Sequence, residues 1–155
     1  MIKILGYGLA LIVTLGVVAW LWVNFMPVDA ERWHIDPTTA TRSTSPNSFV
    51  SAPSGSTTAK IDVEAAVFDR TPAELLAQFS AIALASPRVT ELTFGDRDYR
   101  TFVQRTPLVG FTDYISVKAV AVEGGASLII FSRSQYGYSD WGVNRKRVEE
   151  WLSGL

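Results

Sequence analysis

The chain has 155 residues, a formal net charge of -1, one histidine and no cysteine. So small a net charge sets up no field that would recruit nucleic acid, and the lack of cysteine excludes disulfides, iron–sulfur clusters, thiolate zinc sites and thiol nucleophiles. A metal site would need an acidic cluster, and no calcium-loop pattern occurs, so neither a metal nor a cofactor is expected.

Residues 1–28 carry Lys3 as their only charged side chain, and Ile4 to Met26 is an unbroken apolar run. About 20 residues at 1.5 Å rise cross the ~30 Å hydrocarbon core, so residues 1–28 are predicted to be a membrane anchor. Pro27 ends the helix. Tyr7 near one end, Trp20 and Trp22 near the other, and Trp33 just beyond are placed as anchors at the headgroup layers. Gly6, Ala10 and Thr14, at four-residue intervals, form a small-residue face on which a helix of another transmembrane protein packs. The same spacing is common in helices that face only lipid. Asn24 adds a polar group near the outer interface.

Lys3 and the amino terminus, set against Asp29, Glu31 and Arg32, orient the helix with its N-terminus in the cytoplasm. In a bacterial inner membrane the remaining chain is then periplasmic. A cleaved signal peptide is the competing reading, since Val28-Asp29-Ala30 resembles a cleavage site. The apolar run, however, far exceeds the roughly 7–15 residues of a signal h-region.

Residues 29–60 are rich in Ser, Thr and Pro and poor in large apolar side chains, which predicts a juxtamembrane segment and tether pinned to the domain through Phe49 and Val50. His34, beside Trp33, is placed at the membrane edge rather than in a catalytic or metal site.

Residues 61–155 are predicted to be a globular α+β domain, a small antiparallel sheet with helices on one face. Alternation from Ile61 to Val67 predicts a half-buried strand. Thr71-Pro72-Ala73-Glu74 is a capping box with proline at the first helical position, and Ser86-Pro87 closes that helix. Strands follow over Val89–Phe94 and Tyr99–Arg105, joined by a turn at Gly95-Asp96. Phe111–Val122 then pairs with Ser127–Ser134 through a Gly124-Gly125 turn. That hairpin puts Ile115, Val117, Ala119, Ala121, Leu128 and Ile130 on the core face. The mixed opposite face carries Tyr114, Ser116, Lys118, Val120, Ile129, Phe131 and Arg133. A last helix carries Trp141, Val148, Trp151, Leu152 and Leu155 on one stripe. In element order the domain is similar to a shortened helix-grip fold, a cradle for lipids and other apolar molecules.

The segment from Ser132 to Leu152, SRSQYGYSDWGVNRKRVEEWL, resembles the C-terminal signature of the bacterial and plastid family catalogued as domain of unknown function 1499. Ser132, Arg133, Gly137, Ser139, Asp140, Gly142, Asn144, Arg145 and Arg147 match its pattern. Ser45-Pro46-Asn47 and Gly110-Phe111-Thr112-Asp113 resemble two earlier elements of the family. Many members have a cysteine after the Ser-Pro-Asn element, where this chain has Ser48. The resemblance implies no reaction. In physical terms, Asp113, Arg133, Asp140, Asn144, Arg145 and Arg147 are grouped either as a polar clasp that locks the last helix to the sheet or as a ligand or anion site.

Three functions stand against one another. The first is a non-enzymatic accessory or interaction subunit of a larger membrane assembly, for which respiratory and photosynthetic complexes are examples. The second is a membrane-tethered module that binds a lipid or another apolar or anionic small molecule on the Tyr114–Arg133 face, under the last helix. The third, an enzyme, ranks last, because the sequence has no nucleophile elbow, phosphate loop or histidine pair.

Overall fold

The computed structural model describes residues 2–93 and 98–155, with residues 2–5 as backbone. The turn expected at Gly95-Asp96 and the Lys3 side chain lie outside the described residues. Helix α1 spans Ile2–Phe25, and its Gly6–Phe25 stretch is long and apolar enough to cross a membrane, with a mean hydropathy of 2.0. It stops where Pro27 removes the next backbone donor. A single-turn helix, α2 (Ala30–Trp33), follows, and the carboxylate of Asp29 caps it by accepting from the Arg32 amide at 3.1 Å.

The domain is α+β. Its strands are β1 (Ser48–Ala52), β2 (Val63–Glu64), β3 (Val89–Glu91), β4 (Arg100–Arg105), β5 (Thr112–Val122) and β6 (Gly125–Ser134), in the order β2-β1-β6-β5-β4-β3. All neighbouring pairs are antiparallel except β1 with β2, which is parallel. Helices α3 (Pro72–Ala85) and α4 (Val143–Leu152) pack on one face. The capping box forms as expected: Thr71 Oγ1 accepts from the Glu74 amide, and Glu74 accepts from the Thr71 amide. Phe79, Phe102 and Trp151 meet edge-on or tilted at centroid distances of 5.8–6.2 Å. Leu75, Ile115, Leu128, Ile130 and Val148 fill the core around them.

The predicted tether is corrected. Residues 29–60 contribute β1, an interior strand flanked by β2 and β6, and Phe49 to Ala52 are buried. The low hydrophobicity that suggested disorder instead lets small side chains lie flat on the sheet: Ala40, Val50, Ala52 and Ala59 pack against Ile129 and Phe131. Arg42 fastens the segment by donating to the Ser48 and Lys60 carbonyls and to Asp62, each at 2.9 Å. The mixed sheet face is therefore covered by this segment and by Trp33 of α2, while α3 and the last helix, α4, pack on the opposite face.

Three smaller expectations also change. The Ile61–Val67 strand shrinks to β2, because Phe68 turns away to bridge Ala126, exchanging backbone hydrogen bonds at 2.8 and 2.9 Å. In the hairpin Val122 pairs with Gly125, so Glu123 and Gly124 form the turn. The two-residue slip leaves every side chain on its predicted face. Gly125 is required by a different contact, since a Cβ there would sit 2.1 Å from the Phe68 carbonyl oxygen. Trp141 precedes α4 rather than joining its stripe; its φ is 54° and it is 93% exposed.

Candidate functional site

On the helix-bearing face, the end of the sheet nearest α1 holds a buried polar clasp. Asp113 in β5 and Arg147 in α4 form an ion pair at 2.5 Å with both side chains 6% exposed. Arg147 also donates to Gln104 of β4, to Ser132 Oγ at 3.2 Å and to Asn144 Oδ1 at 2.7 Å. Asn144, fully buried, accepts from the Ser132 hydroxyl at 2.6 Å; its Nδ2 faces Asp140 Oδ2 at 2.7 Å and the Asn47 carbonyl and Ser134 Oγ at 3.0 Å. Asp140 in turn accepts from the Gly142 and Asn144 amides, serving the exposed donors at the start of α4. Arg145 stays outside. It lies over the Phe49 ring at 4.8 Å and pairs with Glu149 one turn on.

Arg133 belongs to the opposite face. Adjacent residues of a strand point to opposite sides, so Ser132 enters the clasp and Arg133 cannot. Its guanidinium lies 4.8–5.9 Å from the ring centroids of Phe131, Trp33 and Tyr114. It donates to the Trp33 carbonyl at 2.5 Å and to Ser116 Oγ at 3.1 Å. No carboxylate among the described residues pairs with it. Burial pulls it down to about 9, still protonated at neutral pH, and burial pushes the neighbouring Tyr114 hydroxyl up to about 12. Arg133 borders a groove of about 410 Å³ that Arg32, Ser43, Ser45 and Asn47 also line. Trp33, expected at the membrane interface, has its ring stacked on Tyr114 at 4.3 Å and 3°. His34 is also inside the domain, buried, with Nδ1 3.0 Å from Thr101 Oγ1 and its ring against Tyr99.

The end of α1 is joined directly to the domain. The Trp20 indole donates to the Leu108 carbonyl at 2.9 Å, and the Asn24 amide donates to the Val109 carbonyl at 3.1 Å. Arg105 donates to the carbonyls of Val23 and Met26, which the helix end leaves without intrahelical partners. Gly110 makes the close approach possible, for a Cβ there would lie 2.2 Å from Asn24 Oδ1. Tyr7 and Trp22 remain exposed on α1, as do Gly6, Ala10 and Thr14, whose hydroxyl bonds back to the Ala10 carbonyl.

Residues 39–155 match the family model described as protein of unknown function, DUF1499. The chain belongs to that family. No curated protein and no solved structure matches it. The three DUF1499 elements recognised in the sequence converge in space: Asn47 takes the Asn144 amide on its carbonyl and donates to the Gly137 carbonyl at 2.8 Å, while Asp113 takes Arg147. The DUF1499 signature therefore reads, for the most part, as the recipe for the clasp. Sequence reasoning missed Asn47, Gln104 and Ser132 as members, and Arg105 as the residue that meets α1. For Ser132 the signal was present, because strand parity already placed it on the core face.

Proposed function

We propose that the protein is a non-enzymatic, single-pass accessory subunit of a larger membrane assembly, anchored by α1 with its N-terminus in the cytoplasm and its domain on the periplasmic side. One observation carries this reading. The flank of α1 from Gly6 to Trp22 is exposed, while its last turns are fastened to the domain through Trp20, Asn24 and Arg105. A domain leashed for searching needs a loose linker, whereas a domain set at a fixed angle on its helix suits docking at one place in an assembly. The non-enzymatic reading is supported by the buried hydroxyl chain of Thr101 and Ser116, which is fully enclosed between His34 and Arg133.

Membrane fractionation followed by intact mass tests the anchor: the full 17.0 kDa chain is expected in the membrane fraction. A shorter, soluble chain beginning near residue 30 would mean a cleaved signal peptide. Extraction in mild detergent is then expected to yield a stoichiometric complex, weakened by Ala10→Leu. A lone chain with nothing bound would remove the reading.

A second reading rests on the Arg133 groove. A buried guanidinium without a carboxylate partner among the described residues, beside Arg32 and a row of hydroxyls, suits an anionic small molecule or headgroup. The apolar cradle first considered on this face is not what supports it, because residues 33–61 fill that space. Native mass spectrometry of the extracted protein would then show one bound anionic lipid or metabolite, released in Arg133→Gln.

A further inference from the structure

We propose that the turn between β4 and β5, residues 106–111, enters the bilayer beside α1 and gives the domain a second point of membrane contact among the phospholipid acyl chains. The proposal rests on the reading of α1 as a membrane span. That span, Gly6–Phe25, has 20 residues, so its length at 1.5 Å per residue matches the ~30 Å hydrocarbon thickness and leaves its last residue near the boundary. Trp20 is five residues before that end, about 7–8 Å inside, which is deeper than the headgroup layer expected for it from the sequence. The Trp20 indole holds the Leu108 carbonyl. Leu108 therefore sits at acyl-chain depth, within the roughly 5–10 Å over which interfacial segments bury their apolar groups.

The rest of the turn fits that depth. Thr106-Pro107-Leu108-Val109-Gly110-Phe111 has no charge. Leu108 is 85% exposed, and Val109 and Phe111 are partly exposed beside it, the Phe111 ring lying 5.6 Å from that of Tyr136. Irregular backbone at membrane depth needs protein partners for its polar groups, and the Thr106, Leu108, Val109 and Phe111 carbonyls of this turn have them. Here Thr106 and Phe111 exchange hydrogen bonds through the Thr106 amide and hydroxyl, the Gly110 amide donates to the Thr106 carbonyl, and Trp20 and Asn24 take the carbonyls of Leu108 and Val109. Asn24 thus has a specific task in an apolar helix. Arg105, one residue before the turn, reaches Val23 and Met26, the level at which a guanidinium meets lipid phosphates. The chain therefore descends from a headgroup-level arginine to an acyl-level leucine.

The cysteine-free chain permits a direct test. Leu15→Cys, Leu108→Cys and Glu123→Cys are each labelled with an environment-sensitive fluorophore. The full-length protein is then reconstituted into phosphatidylcholine–phosphatidylglycerol vesicles containing acyl-chain spin-labelled lipid. Emission at Leu108→Cys is expected to fall by about twofold or more, as at Leu15→Cys, with Glu123→Cys unaffected at the far end of β5. Quenching at Leu15→Cys with Leu108→Cys behaving like Glu123→Cys would overturn the proposal and leave the anchor standing. Absence of quenching at Leu15→Cys would overturn the anchor itself. Leu108 is solvent-facing in the fold, so its label leaves folding intact, which unchanged thermal unfolding verifies.

Discussion

Replacing Arg147 by methionine tests the clasp most directly. The side chain keeps its apolar stem but loses the guanidinium, leaving the Asp113 carboxylate 6% exposed with its counter-charge gone. Three further acceptors, on Gln104, Ser132 and Asn144, lose a donor at the same time. Removing one member of a buried pair costs about 3–5 kcal/mol, because the other charge stays buried and uncompensated. That is about a fifth or more of the roughly 5–15 kcal/mol by which a domain of this size is stable. At about 3–5 °C per kcal/mol, Arg147→Met should unfold on the order of 10–20 °C earlier. Tryptophan fluorescence of the full chain in detergent reads the transition, since Trp151 lies in the core that α4 covers. Lys146→Met is the control: its partner Glu150 is exposed one turn away, and such pairs contribute about 0.5 kcal/mol or less. Adding Asp113→Asn to Arg147→Met should recover much of the loss by removing the stranded charge. An Arg147→Met transition within about 1 kcal/mol of the control would refute the reasoning.

Asn144→Asp keeps the shape but replaces the only donor of that side chain by a carboxylate facing Asp140, so thermal unfolding should drop well below that of the parent chain. Gly125→Ala should be more damaging than Gly124→Ala, because only the former drives a methyl into the Phe68 carbonyl; circular dichroism melts would rank the two, and equal effects would contradict the contact. Partial burial pushes the Asp36 carboxyl up, but hydrogen bonds from Thr38 and the charge of Lys118 outweigh it and hold it below its ordinary 3.8. A lowered carboxyl contributes stability above its unfolded value and loses it as pH falls through the folded one, so this contribution should fade below about pH 4. Asp36→Asn should lose less stability than the parent between pH 7 and pH 3; an identical loss would remove Asp36 from the account.

What the sequence made legible follows from how local each cause is. The apolar run, the capping box and the strands of the β5–β6 hairpin depend on neighbours a few residues away, and each could be read in place. The hairpin register could not, because Gly124 serves the turn while Gly125 serves a contact with Phe68, and the pair looks like a single turn signal. The Ser/Thr/Pro-rich segment was misread for the same reason. Composition shows that Ser48–Ala52 cannot fold alone, but β6 and β2 supply the backbone partners that make it an interior strand. Of the candidate site, Asp113, Asp140, Asn144 and Arg147 are brought together. Arg133 and Arg145 are not, the first because of strand parity and the second because of its place on the outer side of α4.

The clasp and the joint between α1 and the domain are built on the same strands. Gln104 and Arg105 are consecutive in β4, and alternation sends them to opposite sides: Gln104 accepts from Arg147 of α4, while Arg105 donates to the end of α1. On β5, Asp113 faces α4, and its neighbour Tyr114 stacks on Trp33, in the segment that leaves the anchor. Each side of the sheet end is thus pinned through residues one peptide apart. A shift of α4 that moved Gln104 would move Arg105 with it and disturb the carbonyls of Val23 and Met26. The network that gives DUF1499 its signature therefore fixes more than a helix on a sheet. Through Gln104 and Arg105 it also ties α4 to the joint between the domain and α1.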